Sequence, residues 1–357
     1  MKISNKSHLA RINALRQQTI TAGADATVIQ SAANRAYLTG FASSEGLLVV
    51  TATQAFLIVD PRYYEDAVDS VQGLEVLQHR GEMGEAVQKL ILDYHLKNIG
   101  IEENIVTLQQ AARWQLLMPE VHWLNQGGVT EQLRMIKDQD EISSIRYSCA
   151  IADAAFRELL KFIRPGRSEQ EIAIYFDYQS RQLGADGQSF ETIVISGPRS
   201  SLPHGRPTSR CIAEHELIMI DFGVISQGYC SDCTRTIVLG GKLSWQQELT
   251  DVVWTAQQAV LSQLRPGLKA CEADRIAREI IYRQGWGDLF GHALGHGVGR
   301  EIHERPSLSV RDNTVLQSGM VVTVEPGVYL PHQGGVRIED LVLITDQGCE
   351  LLTKSPY

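Results

Sequence analysis

The placement of the acids in this chain limits its fold more than any other feature. Glu325 and Glu339 are each embedded in apolar, β-branched runs, Met320 to Leu330 and Gly335 to Ile344, joined through Pro331-His-Gln-Gly-Gly335. A turn centred on His332 sets the two glutamates at mirrored positions of a hairpin, facing one another across the ladder. Asp221 and Asp232 repeat the pattern in Leu217 to Gly223 and Gly228 to Leu239, where a tip at Ser226-Gln227 places them directly opposite. Directly opposed residues have Cβ atoms about 4.5–5.5 Å apart, a distance at which like charges destabilise a sheet, and a buried unpaired carboxylate costs more still. Unless both hairpin faces are simply solvated, something positive belongs between the acids.

Between the two hairpins lies Gly291-His-Ala-Leu-Gly-His-Gly-Val-Gly-Arg-Glu-Ile-His303, which holds three of the ten histidines of the chain. Its four glycines argue against a regular helix and for a loop that lets His292, His296 and His303 approach something closely. Four carboxylates and one imidazole suit two divalent ions, because the charges balance and carboxylates can bridge such ions. Oxygen-rich ligation favours Mn²⁺, with Co²⁺ or Zn²⁺ as alternatives, over a thiolate-bound metal. Cys230 and Cys233 have the spacing of a redox pair but sit in a strand-like segment, and read as ordinary thiols.

A chain of 357 residues is long for one domain and suits two. Residues 1–128 alternate short β-like runs with helical patterns such as Met83 to Leu96 and Leu108 to Met118, the rhythm of a small α/β domain. Beyond Gly127-Gly128, residues 129–357 read as an α+β domain of helices on a mainly antiparallel sheet, with capping boxes expected at Ser168 to Glu171 and Ser244 to Gln247. The formal charge of −9 argues against nucleic acid as a partner. No apolar signal core opens the chain, no run of about 18 apolar residues occurs, and six scattered cysteines make no disulfide framework, so a cytoplasmic protein without a membrane partner is expected.

The segments Ser231-Asp-Cys-Thr-Arg-Thr236, His292-Ala-Leu-Gly-His296-Gly-Val-Gly, Glu325-Pro-Gly and Gly335-Val-Arg-Ile-Glu339-Asp resemble the motifs of the pita-bread metallopeptidases, the family of aminopeptidase P, prolidase and methionine aminopeptidase. Arg35-Ala-Tyr-Leu-Thr-Gly40 and Val59-Asp-Pro-Arg-Tyr63 are similar to the creatinase-type N-terminal domain that accompanies aminopeptidase P and prolidase. The resemblance implies a curved, mainly antiparallel pita-bread sheet and metal ligation by Asp221, Asp232, His296, Glu325 and Glu339. Asp232 and Glu339 would span both ions. It also implies proton acceptance by Glu325, proton donation or oxyanion stabilisation by His303, a pocket role for His204, and outer-shell or substrate roles for His292 and Arg337. The expected activity is removal of the residue preceding a proline at a peptide N-terminus, by a homodimer acting on proline-containing peptides. An Xaa-Pro dipeptidase shares every ligand, with Arg199, Arg206 and Arg300 as candidate readers of a dipeptide carboxylate. A non-catalytic binding protein on the same fold is the reading from another class.

Overall fold

The computed structural model describes residues 5–357, and the chain divides into two compact units, one ending at Arg134 and the other running from Met135 to Tyr357. In the first unit the order is α1 (Asn5–Thr21), β1 (Ala26–Ile29), α2 (Ala32–Thr39), β2 (Leu47–Thr51), β3 (Ala55–Val59), α3 (Pro61–Ser70), β4 (Glu75–Gln78), α4 (Met83–Asp93), β5 (Asn98–Ile101), α5 (Leu108–Leu117), β6 (His122–Asn125) and α6 (Val129–Met135). One mixed sheet, ordered β4-β3-β2-β1-β5-β6, carries apolar clusters on both faces. That is why β1 to β3 are buried at every position and largely apolar rather than alternating. The division falls after Arg134, one helix later than the break expected after residue 128. Val129 and Leu133 of α6 pack on the core of the first unit, and Arg134 donates to Asn34 Oδ1 at 2.7 Å.

The second unit is built from two half-units, each a helix pair on antiparallel strands. In the first, α7 (Gln139–Phe162) and α8 (Glu169–Gln182) precede β7 (Gly187–Gln188), β8 (Ile193–Ser196), β9 (Leu217–Phe222), β10 (Val224–Ser226), β11 (Tyr229–Cys230) and β12 (Cys233–Val238). Capping boxes at Asp138 with Glu141 and Ser168 with Glu171 start the helices. Their inner faces bury Phe156, Leu159, Ile172 and Phe176 against Ile218, Ile220 and Phe222, each worth about 1.5–3 kcal/mol of burial.

In the second half-unit, α9 (Ser244–Leu261) and α10 (Ala270–Arg283) pack on β13 (Gly295–Gly297), β14 (Glu304–Leu308), β15 (Val321–Val324), β16 (Gly327–Leu330), β17 (Gly334–Arg337) and β18 (Asp340–Ile344), with β19 (Cys349–Leu351) at the sheet edge. Ser244 is the first helical residue of α9 rather than its cap. The Leu243 N–H is satisfied instead by Gln246 Oε1 at 2.8 Å.

The two hairpins fold differently from one another. Strands β15/β18 and β16/β17 pair Val324 with Asp340 and Gly327 with Arg337, mirrored about a tip at His332 (φ 63°), so Glu325 and Glu339 occupy matching positions where the ladder is interrupted. In the other hairpin the tip is Gln227-Gly228, both with positive φ, and not Ser226-Gln227. A two-residue turn of this kind needs left-handed backbone at both central positions, which glycine provides without strain. The shift brings Asp221 opposite Thr234, leaving Asp232 just before β12, diagonal to Asp221 on the same face. At Gly223 the chain passes so close to the Ser231 carbonyl that a Cβ would lie 2.0 Å from its oxygen.

Candidate metal centre

Each half-unit contributes to one concavity. Asp221 (β9) and Asp232 come from the first, and His296 (β13), Glu325 and Glu339 from the second. All five line a cavity of about 420 Å³ together with His204, His292, His303 and Arg337. The glycine-rich segment is not an open loop around His296. Gly295 to Gly297 form a strand paired on both sides, and Cβ atoms at Gly295 and Gly297 would lie 2.1 and 2.3 Å from the carbonyl oxygens of Thr323 and Arg305. The glycines admit neighbouring backbone, and so fix the imidazole in a sheet.

The His296 ring is oriented by its own chain. Nδ1–H donates to the Gly297 carbonyl at 3.1 Å, which leaves the Nε2 lone pair 3.5 Å from Asp232 Oδ2 and 3.4 Å from Glu325 Oε1. Burial pushes its pKa down to about 4, so the ring is a neutral donor at physiological pH. Donor atoms of Asp232, His296 and Glu339 all lie within 4.8 Å of one another.

The acids crowd each other. Burial raises Asp232 well above the usual carboxylate range, and Glu339, Asp221 and Glu325 add repulsion. Burial raises Glu339 in the same way, with Glu325 and Asp221 adding to it. Glu325 is pushed up to about 8, burial outweighing the attraction of Arg337, and Asp221 is raised by burial against the same opposing guanidinium. Even with Arg337 beside them, the four carboxylates need further positive charge to ionise together. The Asp221 Oδ1 atom, moreover, is buried with no hydrogen-bond partner among the described residues. A cluster of hard oxygens, one lone-pair nitrogen and an orphaned carboxylate oxygen fits divalent metal ions.

A second layer holds these groups. Arg337, 3% exposed, donates from Nη2 to Asp221 Oδ2 at 2.7 Å, from Nε to Thr234 Oγ1 at 3.0 Å, and from Nη1 to the Pro203 carbonyl at 3.1 Å and Tyr329 Oη at 2.9 Å. Its guanidinium therefore serves the Asp221 carboxylate. Tyr329 Oη also meets His292 Nε2 at 2.9 Å while His292 Nδ1–H donates to the Ala293 carbonyl at 2.8 Å, so His292 has neither ring nitrogen free. Thr234 Oγ1 donates to Glu339 Oε2 at 2.6 Å, and Thr323 Oγ1 donates to Glu325 Oε1 at 3.1 Å while accepting from the His296 N–H at 3.0 Å. Thr234, Thr323 and Tyr329 were missed from sequence. The only signal for the threonines is period-two spacing, Asp232 to Thr234 and Thr323 to Glu325, which sets each on the face of its neighbouring acid.

His204 and His303 differ from the rest in being exposed, at the open side of the cavity. The His303 ring stands edge-on to His296 with centroids 4.4 Å apart. Cys230 and Cys233 are free, buried thiols, Cys230 pushed up to about 12 and Cys233 well above its ordinary value, in both cases chiefly by burial, so neither is a reactive thiolate.

A buried acid-and-imidazole donor set opening into a cavity defines a metal-dependent enzyme. The chain belongs to Metallopeptidase family M24, matched over residues 143–346, and its residues 11–136 match the Creatinase/Prolidase N-terminal domain. It is 38% identical over 338 residues to the Xaa-Pro dipeptidase of Pyrococcus horikoshii, covering 93% of each chain. Among solved structures it is similar to the Xaa-Pro dipeptidase from Bacillus anthracis, with a TM-score of 0.95 at 38% identity over 98% of both chains. It is also similar to the X-Pro aminopeptidase from Thermotoga maritima, with a TM-score of 0.89 at 35% identity over 95% of this chain and 98% of that one. Among the described residues no helix is long and apolar enough to cross a membrane.

Proposed function

We propose that the chain is an Xaa-Pro aminopeptidase that binds two divalent ions, preferably Mn²⁺ with Co²⁺ or Zn²⁺ as substitutes, through Asp221, Asp232, His296, Glu325 and Glu339. The observation that carries this reading is the convergence of all five, with His204 and His303, on one cavity of about 420 Å³. The ions, when bound, supply Lewis-acid polarisation of a carbonyl and an acidified water.

The residues of the chain do the rest. Glu325, hydrogen-bonded by Thr323, accepts the proton of the attacking water. His303, free at the open side and beside His296, donates a proton or a hydrogen bond to the charge developing on the substrate, and His204 flanks the same space. Arg337 and Tyr329 hold Asp221 in place. The working unit of this reading is a cytoplasmic homodimer.

The arginines favour a peptide longer than two residues. Arg199 is committed to Glu169 at 3.2 Å, Arg300 stacks over Tyr229, and neither lines the cavity. Arg206 does line it, but is 83% exposed and faces Glu191 at 3.4 Å. Among the described residues lining the cavity, the buried Arg337 gives four of its five N–H donors to Asp221, Thr234, Pro203 and Tyr329, which leaves a single Nη2–H and no fork for the carboxylate of a dipeptide. The relatives from Pyrococcus horikoshii and Bacillus anthracis, both Xaa-Pro dipeptidases, favour the second reading, an Xaa-Pro dipeptidase.

Hydrolysis of Ala-Pro-Ala beside Ala-Pro by Mn²⁺-loaded protein decides between them. Release of alanine from the tripeptide in preference to the dipeptide supports the aminopeptidase. Cleavage of the dipeptide alone makes the protein a prolidase, and cleavage of neither returns it to a binding role.

A further inference from the structure

The loop between β8 and β9 carries His204, and Pro203, His204, Arg206 and Pro207 of this loop wall one side of the metal cavity. Residues 202–205 close in a turn, the Gly205 N–H donating to the Leu202 carbonyl at 3.0 Å, and His204 stands exposed within it. An exposed imidazole on a loop is aimed only as well as the scaffold holds that loop.

Both limbs of the loop are tied by one side chain that lies outside it. Glu169, the first residue of α8, is fully buried and does not line the cavity. Its Oε1 accepts from the N–H and the Oγ of Ser196, both at 2.9 Å. Its Oε2 accepts from the Thr208 N–H at 3.0 Å and from Thr208 Oγ1 at 2.8 Å. Arg199 Nε adds a charged donor to Oε2 at 3.2 Å, and Arg199 Nη2 reaches on to the Arg206 carbonyl at 2.7 Å. Ser196 ends the outgoing strand and Thr208 lies on the returning limb, so a single carboxylate joins the two sides of the loop at its base. A buried carboxylate is costly unless donors satisfy it, and these donors reach Glu169 only while both limbs are in place. From the other side Arg337, which holds Asp221, donates to the Pro203 carbonyl at 3.1 Å and so refers the same loop to the proposed ligands.

We infer that Glu169 is a positioning residue for the peptidase reaction, which aims His204 into the metal cavity by joining the two limbs of the β8–β9 loop and touches neither substrate nor metal. This rests on the reading of His204 as a pocket group of an Xaa-Pro peptidase. The carboxylate acts on the reaction only through the imidazole, so its effect vanishes when the imidazole is gone.

A double-mutant cycle tests this, with kcat/KM of Mn²⁺-loaded protein on Ala-Pro-Ala and bound metal measured for Glu169→Gln, His204→Ala and the pair. Glutamine keeps the shape but turns an amide N–H₂ toward the donors of one limb, which releases that limb. Glu169→Gln should lower kcat/KM about 10- to 100-fold, the cost of a misplacement near 1 Å, at the metal content of the wild type. In the His204→Ala background the same substitution should cost less than about 2-fold. Thr208→Val, which removes one donor and serves if Glu169→Gln does not fold, should lose about 3- to 10-fold, again only where His204 is present. Equal losses in both backgrounds overturn the inference and make Glu169 a structural group alone. Wild-type activity of both variants overturns it as well, and so does loss of metal. Should His204→Ala match the wild type, or the wild type cleave no Xaa-Pro bond, the reading of the cavity itself is refuted and the role of Glu169 falls with it.

Discussion

Arg337→Met tests what the buried guanidinium is for. In the wild type it makes four hydrogen bonds, the shortest of them to Asp221, and its charge opposes the burial that raises this carboxylate. Methionine keeps most of the volume and removes both charge and donors. Without Arg337 the pKa of Asp221 rises further, a proton competes with the metal, and binding weakens most at low pH. Loss of such a supporting group typically costs 10- to 100-fold in metal affinity, which is about 1.4–2.7 kcal/mol.

Titration calorimetry of metal-stripped protein with Mn²⁺ at pH 6.5 and 8.5 reads this out. The variant should bind more weakly at both pH values and recover part of the loss at 8.5, and at saturating metal its KM for Ala-Pro-Ala should stay within a few-fold of wild type. Because breaking a buried ion pair can cost about 3–5 kcal/mol of stability, Arg337→Lys, which keeps the charge and loses the fork, serves as a second variant. Unchanged metal affinity with a raised KM would refute the reasoning and make Arg337 a substrate group.

His303→Ala should keep the metal content of the wild type and lower kcat by about 10²- to 10⁴-fold, the usual contribution of a positioned acid–base group, and metal loss by elemental analysis would contradict that role. Asp232→Ala should purify without metal, because its donors sit with those of His296 and Glu339. Stability of the stripped protein should fall as pH rises from about 6.5 to 8. Glu325, with its pKa pushed up to about 8, binds a proton in the folded state that the unfolded chain has already released, and this contributes about 2 kcal/mol over the window. The buried His292 and His296, both pushed down to about 4, act in the opposite sense only below about 6.5. Denaturant melts with and without Mn²⁺ should therefore diverge with rising pH, and parallel curves would show that these acids are not the ones the metal relieves.

The second hairpin was readable in the sequence because its turn is long and its acids are symmetric about His332. The first was misread by one residue at the tip, since the preference of Gln227-Gly228 for positive φ outweighs the symmetry of two aspartates. The glycines around His296 read as a loop from composition alone, and only the neighbouring strands show that they make room for the Thr323 and Arg305 backbone. For Arg337 the sequence left an outer-shell and a substrate role both open, since its partners Asp221, Thr234 and Pro203 are more than 100 residues away in sequence.

In the proposed function these five side chains hold two ions, and cleavage before proline needs them. The most direct measurement titrates metal-stripped protein with Mn²⁺ while following alanine release from Ala-Pro-Ala and bound metal in the same samples. The stripped protein should be inactive, and activity should saturate as bound metal reaches two ions per chain. Cleavage by the stripped protein, or full occupancy without cleavage of any Xaa-Pro peptide, would contradict it.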